Sequence, residues 1–235
     1  MDDGSTTTAA ADVRDRLALA LDLDDLVAAL RVAKELRPWF GTAKVGLELY
    51  TAVGPDAIGA LADLGYDVFL DLKLHDIPNT VHKAAKVLGA LGASYVTFHA
   101  HGGVEMLRAG VDGLCEGAER AGLPAPVAVA VTVLTSDRDA PPHIVPKRVR
   151  IAVEGGCKGI VCAAEDAKEA RTYAPRLTVV VPGIRPAGTA HHDQARAATP
   201  KEALAAGADV LVVGRAVTAA PDRAAAAQAL VAELA

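Results

Sequence analysis

The sequence predicts an α/β protein folded as a single (β/α)8 TIM barrel. Along 235 residues, eight short apolar, β-branched runs alternate with longer amphipathic runs. Glycine recurs just ahead of the apolar runs, in LADLGYDVFL, LGALGASYVTF, EGGCKGIVC and LAAGADVLVVG. That is a helix C-terminal glycine leading through a short loop into the next strand. No linker interrupts the alternation, which closes at eight units. An open doubly wound sheet is the alternative. Against it, the first strand–helix turn, LDLDDL, lacks the G-x-G-x-x-G of a dinucleotide-binding unit.

A polar, acidic start (MDDGSTTTAAADVRD) reads as a loose tail over residues 1–12, unlike a signal peptide, and the barrel domain follows over 13–235. The first strand is LALALDL, residues 17–23. A helix over 25–38 follows, with Leu26, Val27, Leu30, Val32, Ala33 and Leu36 apolar and Lys34, Glu35 and Arg37 on another face. The next strands are AKVGL (43–47), DVFLDL (67–72), YVTFH (95–99) and VAVAVTVL (127–134). GIVCA (159–163), LTVVVP (177–182) and DVLVVG (209–214) complete the set. Near-continuous apolar runs of this kind suit parallel strands covered on both faces. The stretch 183–199, GIRPAGTAHHDQARAAT, is too long for a plain βα connection and reads as a functional lid.

Composition narrows the function classes. Lys and Arg number 24 against 29 Asp and Glu, a net charge of −5, and no basic patch or tail marks a nucleic-acid or anionic-membrane binder. Half of the residues are hydrophobic, which excludes intrinsic disorder. Cys115, Cys157 and Cys162 form no C-x-x-C pattern and no disulfide framework, so a reducing, cytoplasmic compartment is expected. No apolar run reaches the length of a transmembrane helix.

Barrel chemistry sits at the C-terminal ends of the strands. There the sequence places Asp22, Lys44, the run from Asp71 to Asp76, His99 and His101, residues 132–136, Arg185, and Gly214 with Arg215. Asp71 and Lys73 are two apart, so on a regular strand both side chains share one face. Buried charges require partners, and the expected ones are each other, Lys44 and Asp76. The four sum to zero. Such an alternating array is a poor nucleophile and a good proton donor, suited to making and quenching a carbanion. An isolated D-x-K is more often a surface ion pair; the buried strand before it and a second lysine one strand away favour chemistry.

Gly214 and Arg215, after the last strand, offer a backbone N–H, a guanidinium and a helix start at the usual barrel phosphate position, with Gly183 and Arg185 near it. His99 and His101 form an H-x-H that some barrels use for metal, but here it reads better as a hydrogen-bonded loop pair before Gly102 and Gly103. The cysteines read as structural, and no G-x-S-x-G suggests a serine hydrolase.

DLKLHDIPNT, residues 71–80, resembles the signature of the orotidine 5′-monophosphate decarboxylases. The likeness extends through LALDLDD, AKVGLELY, VTVLTS, GIVCAAED, PGIRPAG, HHDQARAATP and GADVLVVGRAVT. It implies decarboxylation of orotidylate to UMP, the last step of pyrimidine nucleotide synthesis, with no cofactor and no metal. By position, Lys73 is implied to protonate C6. Asp71 would lie by the scissile carboxylate and hold the lysines, and Asp22 with Lys44 would meet the ribose. Asp76, Ile77 and Thr80 are implied to cross a homodimer interface into the neighbour's site. Thr135 would contact the pyrimidine edge, and Gln194 would bridge phosphate and pyrimidine from the lid. Arg215, the Gly214 N–H and Arg185 would hold the phosphate. The lid departs from the family's charged loops, PAGTAHH being small and neutral to basic. Sugar-phosphate enzymes such as hexulose-phosphate synthases share D-x-K-x-x-D but use magnesium and an acidic residue where Lys44 stands.

Overall fold

A computed structural model describes residues 13–137, 140–186 and 196–234. The tail expected over 1–12, Gln194, and His191 and His192 of the lid lie outside the described residues. Eight parallel strands close into a barrel in sequence order. They are β1 (Leu17–Leu21), β2 (Thr42–Val45), β3 (Asp67–Leu74), β4 (Tyr95–His99), β5 (Val127–Val131), β6 (Gly159–Val161), β7 (Thr178–Val181) and β8 (Val210–Val213). Closure is made by β1 against β8, Leu17 facing Leu211 and Leu19 facing Val213.

The helices among the described residues are α1 (Leu26–Leu36), α2 (Leu47–Val53), α3 (Asp56–Asp63), α4 (Pro78–Gly89), α5 (Gly103–Ala121), α6 (Ile144–Glu154), α7 (Ala164–Tyr173), α8 (Pro200–Ala205), α9 (Arg215–Thr218) and α10 (Arg223–Ala232). Strict one-to-one alternation fails twice. Gly54, at φ +66°, and Pro55 break the segment after β2 into α2 and α3. A short α9 precedes α10 after β8. The strand-entry glycines behave as read: Gly65, Gly92, Gly156 and Gly207 all have positive φ.

Two cores result from the period-2 alternation of each strand. Leu17, Leu19 and Leu21 point outward to the helices, while Ala18 and Ala20 point inward. The barrel interior is filled by Ala18, Ala20, Phe69, Val129, Val131, Val161, Val180, Val210 and Val212. In register with this inward set, Ala20 faces Lys44 and Lys44 faces Phe69. An ammonium therefore stands at an interior position of β2, at the top of an otherwise apolar core.

Candidate active site

A cleft of about 220 Å³ opens above that core. Its floor and walls include Ala20, Asp22, Lys44, Phe69, Asp71 and Lys73 on one side, and Thr135, Arg185, Gly214 and Arg215 on the other. The charged floor is a linear chain. Lys44 Nζ lies 3.2 Å from Asp22 Oδ1 and 3.6 Å from Asp71 Oδ2, and Lys73 Nζ donates to Asp71 Oδ1 at 2.8 Å. The Lys44 and Asp71 side chains keep only 10% and 15% of their exposure, so the centre of the chain is dry and each charge depends on its neighbour. Burial raises the Asp71 pKa, but the Lys44 and Lys73 cations, with hydrogen bonds from Lys73 and Thr97, outweigh it and hold the carboxyl below its ordinary value.

Asp71 and Lys73 do not meet through regular alternation. Leu70 faces Val96 and Leu74 faces Phe98, so Asp71, Leu72 and Lys73 bulge opposite the single residue Thr97. Lys73 has φ +51°, the one non-glycine residue with positive φ among those described. The expectation that the pair shares the cleft is correct, but the bulge produces it rather than a flat strand.

At the far end, Arg185 is buried. Its Nη1 donates to the Ile184 carbonyl at 2.9 Å, and its buried Nε has no hydrogen-bond partner among the described residues. Burial, and then the nearby Arg215 guanidinium, pull its pKa below the ordinary value. Two neighbouring guanidinium groups, one with a donor unanswered among the described residues, give this end of the cleft the charge and donors an anion would need. Beside this end, Ile184 bridges to Ala198, and Arg196 forks onto Glu165 and Asp166.

The model of the orotidine 5′-phosphate decarboxylase / HUMPS family matches residues 15–230. The orotidine 5′-phosphate decarboxylase of Anaeromyxobacter sp. (strain K) is 48% identical over 231 residues, covering 94% of this chain and 98% of its own. That of Moorella thermoacetica is 43% identical over 233 residues, 94% and 92% of the two chains. The crystal structure of the Lactobacillus acidophilus orotidine 5′-phosphate decarboxylase aligns at TM-score 0.78 and 36% identity, covering 93% of this chain and 99% of that one. This chain belongs to the orotidine 5′-phosphate decarboxylase / HUMPS family.

Among the residues that the family resemblance singled out, Asp22, Lys44, Asp71, Lys73, Thr135, Arg185, Gly214 and Arg215 line one cleft. Asp76, Ile77 and Thr80 do not. They are exposed at the start of α4. The Asp76 carboxylate accepts from the Ile77 N–H rather than from either lysine. The fourth member of the charge array within one chain is therefore Asp22. No described group of His, Cys, Asp and Glu is placed to hold a metal ion. His99 Nδ1 instead accepts from the His101 N–H at 3.3 Å. Burial holds the Cys157 and Cys162 thiols up at about 12, as structural cysteines require.

Two residues beside the site carried little signal in the sequence. A Cβ on Gly46 would stand 3.0 Å from Asp22 Oδ1 and 3.1 Å from Lys44 Nζ, so glycine there leaves room for that ion pair. Arg148 on α6 donates to the Thr132 carbonyl and lies 3.4 Å from His101 Nδ1, joining the segments that follow β4 and β5. Each needs the fold before its role is visible; an H-x-H and a strand-end threonine were the only hints.

Proposed function

We propose that this chain converts orotidine 5′-monophosphate to UMP and carbon dioxide, with Lys73 delivering the proton to C6. The observation that carries the reading is the chain of alternating charge Asp22–Lys44–Asp71–Lys73 at the cleft floor, buried at its centre. When the bond to the carboxylate breaks, its electron pair stays on C6 in the ring plane, where no adjacent π system takes it up. A fixed ammonium at that point stabilises the developing charge in a low-dielectric setting. Carbon dioxide leaves as that bond breaks; the same ammonium then gives its proton to C6, and the neutral amine regains one from solvent before the next turnover. Asp71, ionised and hydrogen-bonded to Lys73, aims the ammonium.

The cleft orients the nucleotide lengthwise. Arg185 and Arg215, with the Gly214 N–H, take the phosphate, and Gln194 bridges phosphate and pyrimidine; Asp22 and Lys44 take the ribose; Thr135 takes the pyrimidine edge. Binding energy at the phosphate is spent far from the reacting carbon, where it lowers the barrier by holding the ring in place. The active unit is a homodimer in which Asp76, Ile77 and Thr80 of each chain complete the other's site. Exposed Leu47 and Ile77, following adjacent strands, support an interface there. Three free cysteines fit a reducing compartment such as the cytoplasm.

The test is the loss of orotidylate absorbance with purified protein in chelator-treated buffer. Lys73→Ala is expected to reduce turnover by about a thousandfold or more, while calorimetry still detects UMP binding. Turnover within tenfold of the parent overturns the role of Lys73. Loss of parent activity on chelation would place the chain with the magnesium-dependent members of its family.

A further inference from the structure

We infer that Thr97 is a positioning residue for the Asp71–Lys73 pair, holding the β3 bulge that brings carboxylate and ammonium together. The inference rests on the proposed role of that pair and goes beyond it to what keeps the pair in place. Thr97 lies on β4, is fully buried, and is the one residue opposite the three bulged residues of β3. Its Oγ1 accepts the Lys73 backbone N–H at 2.8 Å. The same oxygen lies 3.2 Å from Asp71 Oδ1 and 3.5 Å from the Leu70 carbonyl. A hydroxyl has one proton to give. The nearer, ionised acceptor takes it, so Thr97 donates to Asp71.

A closed ring of contacts follows. The Lys73 N–H donates to Thr97, Thr97 donates to Asp71, and Asp71 accepts the Lys73 ammonium. One side chain on the neighbouring strand thus fixes both ends of Lys73. This answers a structural question that the bulge raises. A lysine in the left-handed region is strained, and such a conformation persists only where its surroundings over-determine it. Without the hydroxyl, the Lys73 N–H has no acceptor on β4, and Asp71 Oδ1 loses one of two donors. The bulge is then free to relax toward ordinary strand pairing, which carries the ammonium off its aim. The phosphate and ribose contacts lie on other strand ends and stay in place.

The experiment compares Thr97→Val, which keeps shape and removes the hydroxyl, with Thr97→Ser, which keeps the hydroxyl and removes the methyl. Turnover of orotidylate and the dissociation constant of UMP are measured for both, beside the parent and Lys73→Ala. Thr97→Val is expected to lower kcat by about tenfold or more, the effect of losing a hydrogen bond to a charged group. UMP affinity should change by less than about threefold, and Thr97→Ser should return kcat to within about threefold of the parent. Parent-like kcat in Thr97→Val overturns the proposal. So does a Ser variant as impaired as the Val variant, or a loss of UMP affinity in proportion to kcat, since either marks a packing role. If Thr97→Val does not fold, Thr97→Cys takes its place against Thr97→Ser, because a thiol is a weak donor and acceptor of the same shape; equal activities in that pair overturn the proposal. Lys73→Ala separates the two readings. If it keeps parent turnover, the assignment of the site fails; if it is inactive while Thr97→Val is not, only the role of Thr97 fails.

Discussion

His99 stands half-buried at the end of β4, with Lys73, His75, His101 and Arg148 around it. Burial is the largest cause, followed by Arg148 and then the neighbouring histidines and Lys73, that moves its pKa from 6.5 down to about 4. The sign follows from linkage. Between those two values the unfolded chain binds the proton that the folded chain refuses, so stability rises with pH. The contribution of a neutral His99 is complete above 6.5 and is lost as pH falls toward 4. Thermal stability of the parent should therefore fall more steeply between pH 6.5 and about pH 4 than that of His99→Gln, which cannot titrate. Parallel curves for the two proteins would show that His99 is not held neutral by the fold. At this scale the sequence exposed the charged residues and hid those that serve them. Asp71 and Lys73 are visible because charge after a buried run is costly without a purpose. Thr97 and Gly46 look like any strand threonine and any turn glycine until the bulge and the ion pair beside them are known.

α4 presents Asp76–Thr80 at its start, so whatever fixes α4 fixes the proposed dimer contacts. α5 does this by backbone-to-backbone approach. A Cβ on Gly117 would lie 2.0 Å from the Lys86 carbonyl oxygen, and one on Gly113 would lie 2.3 Å from that of His82. Neither helix can keep its place if those glycines gain a methyl. Gly59, inside α3, has open space around its Cβ position. The two sites give opposite expectations for one substitution. Gly117→Ala should destabilise the protein by about 1–3 kcal/mol through overpacking, exceeding the helix-propensity gain of about 1 kcal/mol. Gly59→Ala should stabilise by up to about 1 kcal/mol. Denaturant midpoints measure both, and a Gly117→Ala protein as stable as the parent would show that the α4–α5 crossing is looser than drawn. The strands themselves were legible because each is covered on both faces and reads as an unbroken apolar run. Their ends were not: residues 132–134 continue the apolar run of β5, yet the strand stops at Val131 opposite Val161, where β6 ends. β5 stops where β6 stops, and that information lies elsewhere in the chain.

Within one chain the charge array ends at Lys73, while Asp76 turns its carboxylate to its own backbone at an exposed position. Asp76 and the neighbouring Ile77 are both exposed, which leaves them free to act in the proposed dimer. A closed dimer in which each chain lends Asp76, Ile77 and Thr80 accounts for all three. Complementation tests the whole assembly rather than a single contact. Lys73→Ala and Asp76→Ala chains should each be nearly inactive alone. In their heterodimer, one site takes Lys73 from one chain and Asp76 from the other and is intact, while the second site carries both defects. Random exchange of equal amounts makes half of the dimers mixed, and half of the sites in those are intact. Activity should therefore return to about a quarter of the parent value, on the two-fold symmetry of such dimers. Differently tagged chains, co-purified after mixing, verify the exchange. Mixed dimers with no activity above the separate variants would mean that Asp76 acts within its own chain or not at all, and the shared-site assembly would be wrong.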